Sequence, residues 1–183
     1  MSPRLGPVEE PTPEQAELLA PYRAFGDGEV FNIFRTLVRH PKLFKRSMVL
    51  GTGLLMKGNL SPRVREIVIL RVAWRVSSAY EWGQHVRIGL DVGLTGEEVD
   101  ALATQAAEAP TWSDEERLAV TATDELMAAV DLTDATWDAG LATWGEQDLM
   151  ELIFLAGNYR MLAGFLNAAR VELDDGLEGF PAP

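Results

Sequence analysis

Residues 61–77, SPRVREIVILRVAWRVS, read as one helix that is apolar almost all round, and that reading decides the fold. Ser61-Pro62 marks its start, with a hydroxyl at the cap and a proline in the first turn, where a missing N–H costs nothing. A helix apolar on nearly every side belongs in the interior, so this one is expected at the centre of the molecule. At about 100° per residue, Arg71 and Arg75 lie roughly 140° and 180° from Glu66, so if the arginines face water the carboxylate faces inward. A buried carboxylate is either a structural ion-pair partner or an acid or base tuned by burial and a nearby cation, and both readings stay open.

The next segment, residues 78–92, reads SAYEWGQHVRIGLDV. Glu81 and His85 are four apart and share a helix face, with Ser78 one turn earlier on the same face, beside Tyr80 and Trp82. A carboxylate next to an imidazole is a tool for proton transfer near neutral pH, because each shifts the other's pKa. A purely structural reading stands beside it: Ser78-Ala-Tyr-Glu81 also fits a capping box, and His85 a core histidine. A third alternative is a metal set of Glu81, His85 and Glu66, which lacks the second nearby histidine such sites usually bring, so no metal is expected. His40, before Pro41 at a helix end, is assigned no role.

Outward from this centre the pattern stays helical. The chain up to Pro13 reads as a loose arm, and PEQAELLAPYRAF from Pro13 as a short helix broken near Pro21. Val30 to Val38 recur at helical spacing up to His40-Pro41, a second helix runs from about Pro41 to Lys57, and Gly58-Asn59 stops it. Thr95 with Glu98, and Ser113 with Glu116, are capping boxes that start two more helices. From about Asp148 to Leu173 the residues Leu149, Leu152, Ile153, Ala156, Tyr159, Leu162, Ala163, Leu166 and Ala169 form one broad apolar stripe of an amphipathic helix. Tyr159, Met161 and Phe165 read as core. There are no alternating strand segments and no glycine-rich phosphate loop. The expectation is an all-α, single-domain fold over residues 30–173, preceded by an arm and short helix (1–29) and followed by a tail (174–183).

Composition narrows the function. The 183 residues hold no cysteine, which removes thiolate nucleophiles, disulfides and iron–sulfur clusters together. With 47% apolar and 24% charged residues, a chain of this length can make its own core. Sixteen Lys and Arg against 28 Asp and Glu give −12, so a polyphosphate is repelled and nucleic acid is not an expected partner. The apolar runs fall far below the ~20 residues of a membrane span, and the opening MSPRLGPVEEPTPEQ lacks the pattern of a signal peptide. These features predict a cytoplasmic protein with no membrane partner. Charge is uneven: residues 35–65 carry eight basic groups and no acid, whereas 91–183 carry twenty acids and three arginines. Such asymmetry supports either a solvated basic face or an anion-attracting one.

The stretch from Ser61 to Leu102, together with FLAGNYRMLAGFLNAARVEL from Phe154, resembles the carboxymuconolactone decarboxylase family, which includes the alkylhydroperoxidase D proteins. The resemblance implies the alkylhydroperoxidase D-like helical fold, assembly as a homo-oligomer (trimer or hexamer), and a pocket near subunit contacts. In the peroxidase branch a glutamate, a Cys-x-x-Cys pair and a histidine form the site. Set on His85, the glutamate falls on Glu66 and the cysteine positions on Ser78 and Glu81. A serine hydroxyl neither ionises near pH 7 nor forms a disulfide, so the thiol peroxidase cycle is not expected. Tyr80, Glu81, Trp82 and His85 instead resemble the Tyr-Glu-Trp-x-x-His branch, which contains the ring-lactone decarboxylases. That implies a lyase acting without a cofactor on a small organic acid or lactone. His85 would be proton donor or relay, Glu66 and Glu81 would set its charge and tautomer, Arg63 would hold a carboxylate, and Ser78, Tyr80 and Trp82 would line the substrate pocket. An acid–base isomerase or hydrolase, and a non-catalytic oligomeric binding protein, are the alternatives on the same fold.

Overall fold

The computed structural model describes residues 2–23, 29–104 and 112–181. Within them the chain folds as α1 (Pro13–Leu19), α2 (Asn32–Leu37), α3 (Pro41–Met56), α4 (Pro62–Arg75), α5 (Ala79–Asp91), α6 (Gly96–Thr104), α7 (Asp114–Ala129) and α8 (Asp134–Ala169), with no strand among the described residues. Helix α4 is the hub. From Val64 to Ala73 every residue except Arg65 is buried, as its all-round apolar sequence predicts. One side of it, Ile67, Leu70 and Ala73, packs with Trp82, Leu94, Val99, Leu102 and Trp112. The other, Val64, Val68, Ile69 and Val72, packs with Leu152, Leu155, Ala156 and Tyr159 of α8 and with Ala119 and Ala122 of α7. Each large apolar side chain buried there contributes roughly 1.5–3 kcal/mol.

The caps read from the sequence form as expected, and Arg63 ties two of them together. Glu98 Oε2 accepts the Thr95 N–H at 2.8 Å, and Glu116 Oε2 accepts the Ser113 N–H at 2.8 Å. The other oxygen of each carboxylate accepts a short hydrogen bond from the Arg63 guanidinium, which also donates to the Gly93 carbonyl at 2.6 Å. One arginine at the head of α4 thereby fixes the starts of α6 and α7. His40 caps α3, its Nδ1 accepting the Leu43 N–H at 3.3 Å.

Arg71 departs from the expectation that it faces water. It is buried, with a two-point pairing to Asp124 (2.7 and 2.9 Å) and a third bond to the Leu102 carbonyl at 2.5 Å. The guanidinium can leave water because its donors meet acceptors from α6 and α7. Glu66 faces inward nevertheless, so α4 buries one carboxylate and one guanidinium.

Helix α8 starts earlier than the apolar stripe suggested. Thr133 caps it, and Gly145 (φ 73°, ψ 179°) breaks it into segments 134–144 and 146–169. A left-handed φ of that kind is open to glycine without strain. The predicted stripe is the inner face, with Leu149, Leu152, Ala156, Tyr159, Ala163, Leu166 and Ala169 buried. The outer face is not polar: Met150, Phe154 and Met161 are each more than half exposed. Two apolar faces make this helix long and apolar enough to cross a membrane by length and composition, although 39% of the relevant window is already buried in the fold.

Both flanking segments are tied to the helices. The Arg4 and Leu5 amides donate to the Ala169 carbonyl, the Val8 amide donates to the Arg35 carbonyl, and Arg39 reaches back to the Gly6 carbonyl at 2.8 Å. After α8, Asp174 accepts the Asn32 amide at 2.7 Å and Phe180 packs on Trp74 and Trp82. The short helix at Pro13 gives way to a single 3-10 turn at Ala20–Tyr22; Ala24 and Phe25, which the sequence reading included, lie outside the described residues.

Candidate acid–base site

Three helices meet at one buried cluster. Glu66 comes from the middle of α4, Ser78, Glu81 and His85 from the start and one face of α5, and Tyr159 from α8. His85 Nδ1 lies 2.6 Å from Glu66 Oε2, and Glu66 Oε1 accepts a bond from Arg65 Nε at 3.1 Å. The Glu66 side chain is fully buried and that of His85 is 9% exposed. Tyr159 packs edge-on against the imidazole, ring centroids 5.1 Å apart.

The two carboxylates part company in charge. Burial raises the pKa of Glu66, but the hydrogen bonds and charges of His85 and Arg65 outweigh it and hold the carboxyl below its ordinary value. Burial pushes Glu81 well above the ordinary range, and the neighbouring Ser78 hydroxyl acts in the lowering direction without cancelling it. Both Glu81 oxygens and the Ser78 hydroxyl are buried with no hydrogen-bond partner. Burial first, and then Glu66 and Glu81, push the Tyr159 phenol up, so it stays a neutral hydroxyl.

These states fix what each group can do. An ionised Glu66 only accepts hydrogen bonds, so His85 Nδ1 carries the proton between them and Nε2 is the ring atom left for chemistry. A neutral Glu81, one turn away on the same face, is a proton donor. Two titratable groups driven apart by their surroundings supply an acid and a base in one site. Among the described residues no three His, Asp or Glu side chains converge as a metal set.

The carboxymuconolactone decarboxylase family matches residues 41–125, a span that contains Glu66, Ser78, Glu81 and His85. The chain thus carries this family's sequence pattern over residues 41–125. No curated protein matches it. Among solved structures it is similar to a peroxidase-related protein from a Silicibacter species, at TM-score 0.81 and 14% identity over 92% of this chain and 90% of that one. An alkylhydroperoxidase D core protein from Ralstonia eutropha gives TM-score 0.77 at 18% identity, covering 93% of each chain. A cysteine-to-alanine form of the debrominase Bmp8, solved with 2,3,4-tribromopyrrole, gives 0.78 at 14% identity over 96% of this chain and 94% of that one. At such identities the likeness establishes the alkylhydroperoxidase D-like fold alone.

The structure brings together Glu66, Ser78, Glu81 and His85, and leaves three other candidates elsewhere. Arg63 is held by Glu98 and Glu116 at the rim, so its donors are engaged by protein rather than offered to a substrate beside His85. The Tyr80 hydroxyl donates to Asp174, accepts the Ile33 N–H at 3.1 Å, and shares Asp174 with Gln84, closing the tail over α2 and α5. Burial and Asp174 push that phenol up. Trp82 packs against Trp74 and Phe180. Residue 80 lies about 140° from His85 around α5, off its face, whereas Trp82, three residues before His85, is drawn aside by Trp74 and Phe180. Ser78 does not cap α5, since its side chain makes no capping bond; Glu81 turns inward instead of back to the helix start, so the capping-box alternative fails. In the other direction, Tyr159 and Arg65 join this cluster by their contacts with His85 and Glu66. Tyr159 is buried, as its place in the apolar stripe predicts, and only the packing of α8 on α4 brings it to His85.

Proposed function

We propose that this protein is a cofactor-independent acid–base enzyme of the carboxymuconolactone decarboxylase type, acting on a small carboxylated lactone or a related oxygenated ring. The observation that carries the reading is the Glu66–His85 contact of 2.6 Å beside a buried, unpartnered Glu81. Loss of CO2 from a carboxy-lactone leaves an electron pair that the unsaturated ring delocalises as a dienolate, so the protein has to orient the acid, stabilise the charge and return a proton. Glu81 supplies that proton to the ring carbon and is left as a carboxylate. His85, oriented by Glu66, carries a replacement proton from water. Because Glu81 is neutral and Glu66 is matched by Arg65, the cluster does not repel an anionic substrate as two free carboxylates would. Thiol chemistry has no reagent in a chain without cysteine.

The test is CO2 release from γ-carboxymuconolactone by the purified protein and by His85→Ala, across about pH 5 to 9. Turnover by the natural protein that falls at least ~100-fold in His85→Ala supports the reading. A folded protein that releases no CO2 from this lactone rejects the decarboxylase assignment. The same site would then be tried on lactone hydrolysis and isomerisation.

A further inference from the structure

The outer face of α8 carries a pattern that the inner core does not use. Met150, Phe154, Gly157, Met161, Gly164 and Ala168 are all exposed and follow one another at steps of four, three, four, three and four residues. That is the spacing of a helix-pairing seam. A Cβ added to Gly157 or Gly164 would meet nothing within 4 Å, so each glycine is an open notch on the surface. A helix that is apolar on both faces is ordinarily buried on both. Here the protomer covers only one.

The order of sizes says what covers the other. When the seam is laid against a reversed copy of itself about the level of residue 159, Met150 falls opposite Ala168, Phe154 opposite Gly164, and Gly157 opposite Met161. Every large side chain meets a small one in both directions. A face shaped for an unrelated helix has no reason to be complementary in size to its own reversal, whereas an isologous contact requires it. Beside the seam, Glu151 falls opposite Asn167 and Arg160 opposite Asn158, so no like charges are opposed there. The seam is about 27 Å long at 1.5 Å per residue, and the glycine notches allow the axes to approach to the short end of the ~8–10 Å range of packed helices.

We infer that α8 pairs antiparallel with α8 of a second copy, around a two-fold axis at the level of Tyr159, with Phe154 and Met161 seated in the notches at Gly164 and Gly157 of the other chain. The axis passes over the turn whose inner side holds Tyr159 against His85, so two acid–base sites stand back to back across the contact and each copy braces the helix behind the other's imidazole. A hexamer made of two trimers face to face contains such two-fold contacts, and a lone trimer does not. This inference is independent of the proposed reaction.

The chain has no cysteine, so single introduced thiols report the register cleanly. Mixed Gly157→Cys and Met161→Cys proteins should cross-link on mild oxidation. Phe154→Cys alone should not, because its two copies stand ~15 Å apart along the axis, beyond the reach of a disulfide. Sedimentation should give an even-numbered assembly whose mass halves in Met161→Glu and in Gly157→Leu, with helix content by circular dichroism retained. A monomeric natural protein, a mass unmoved by a folded variant, cross-linking of Phe154→Cys to itself as readily as the mixed pair, or flotation of a monomer with phosphatidylcholine vesicles in place of self-association would each overturn the inference.

Discussion

Arg63 and His85 each stand between two glutamates at helix junctions, and the two clusters differ in what they leave unspent. Around Arg63, both carboxylates give one oxygen to a helix cap and the other to the guanidinium, so all four oxygens are paired. Around His85, Glu66 uses both oxygens while Glu81 and Ser78 use none. A cluster whose bonds are all made within the chain is structure. One that buries a carboxyl and a hydroxyl without partners, at a cost of about 1–3 kcal/mol for each group, keeps bonding capacity for something else. The contrast also sets opposite responses to pH, since Glu98 and Glu116 are held below the ordinary carboxyl range and Glu81 well above it.

The largest effect should come from breaking the interior pair. Glu66→Ala leaves His85 and Arg65 without their common partner in a buried place, and urea unfolding at neutral pH should show a loss of about 3–5 kcal/mol. Glu66→Gln, which keeps the shape, should lose less. Because the folded pKa of Glu66 is lowered, its contribution is present above the unfolded value near ~4.3 and disappears as pH falls through the folded one. A Glu66→Ala protein as stable as the natural one would show that the pair is not an energetic unit.

Glu81→Gln should separate stability from chemistry. The folded pKa of Glu81 is raised, so its favourable share is complete below the unfolded value and is lost as pH rises toward the folded one. The natural protein therefore loses stability with rising pH on this account, and the glutamine variant, which cannot ionise, does not. Paired unfolding curves at about pH 5 and pH 9 should converge at the acid end and favour the variant at the alkaline end, while turnover falls by roughly 100-fold or more. Parallel curves would mean that Glu81 is ionised in the folded state.

The rim cluster should answer in the opposite sense. Arg63→Ala removes the shared partner of Glu98 and Glu116, both lowered in pKa chiefly because Arg63 and the cap amides outweigh burial. The cost, roughly 1–3 kcal/mol at neutral pH, should shrink as pH falls through the lowered carboxyl values and as salt is added, since Arg63 is partly exposed. Turnover should change only as far as folding does.

What the sequence made legible follows from the range of the interactions. The starts at Ser61, Thr95 and Ser113 were readable because a cap is closed by residues three apart, and α4 was readable as central because nearly all its side chains are apolar. The Glu81–His85 face was readable from a four-residue spacing, and the Glu66 position only through the family resemblance, since helix periodicity does not say which helix packs on which. The places of Arg71, Tyr80 and Trp82 depend on Asp124, Asp174 and Phe180, which lie 53, 94 and 98 positions further along the chain. The break at Gly145 hid the first part of α8, whose cap at Thr133 was the available signal. The outer seam of α8 lies beyond what one apolar stripe discloses, because a stripe identifies the face that packs on the protomer's own core and says nothing of the opposite one.

The smallest effect is the sharpest probe of the contrast. Ser78→Ala deletes one oxygen atom that is buried without a partner, and the remaining methyl group fits the same space. Where a hydroxyl is satisfied, its removal forfeits a bond worth about 0.5–1.5 kcal/mol; where it is not, removal relieves the cost of having taken it out of water. The expected result is a change within about 1 kcal/mol, on the stabilising side, together with impaired turnover because the neighbour of Glu81 is gone. A clear loss of stability would mean that the hydroxyl is bonded in solution, to an internal water or to Glu81 itself. The interior cluster would then be closed at Ser78, and the case for spare bonding capacity beside His85 would rest on whatever Glu81 oxygen stays unpaired.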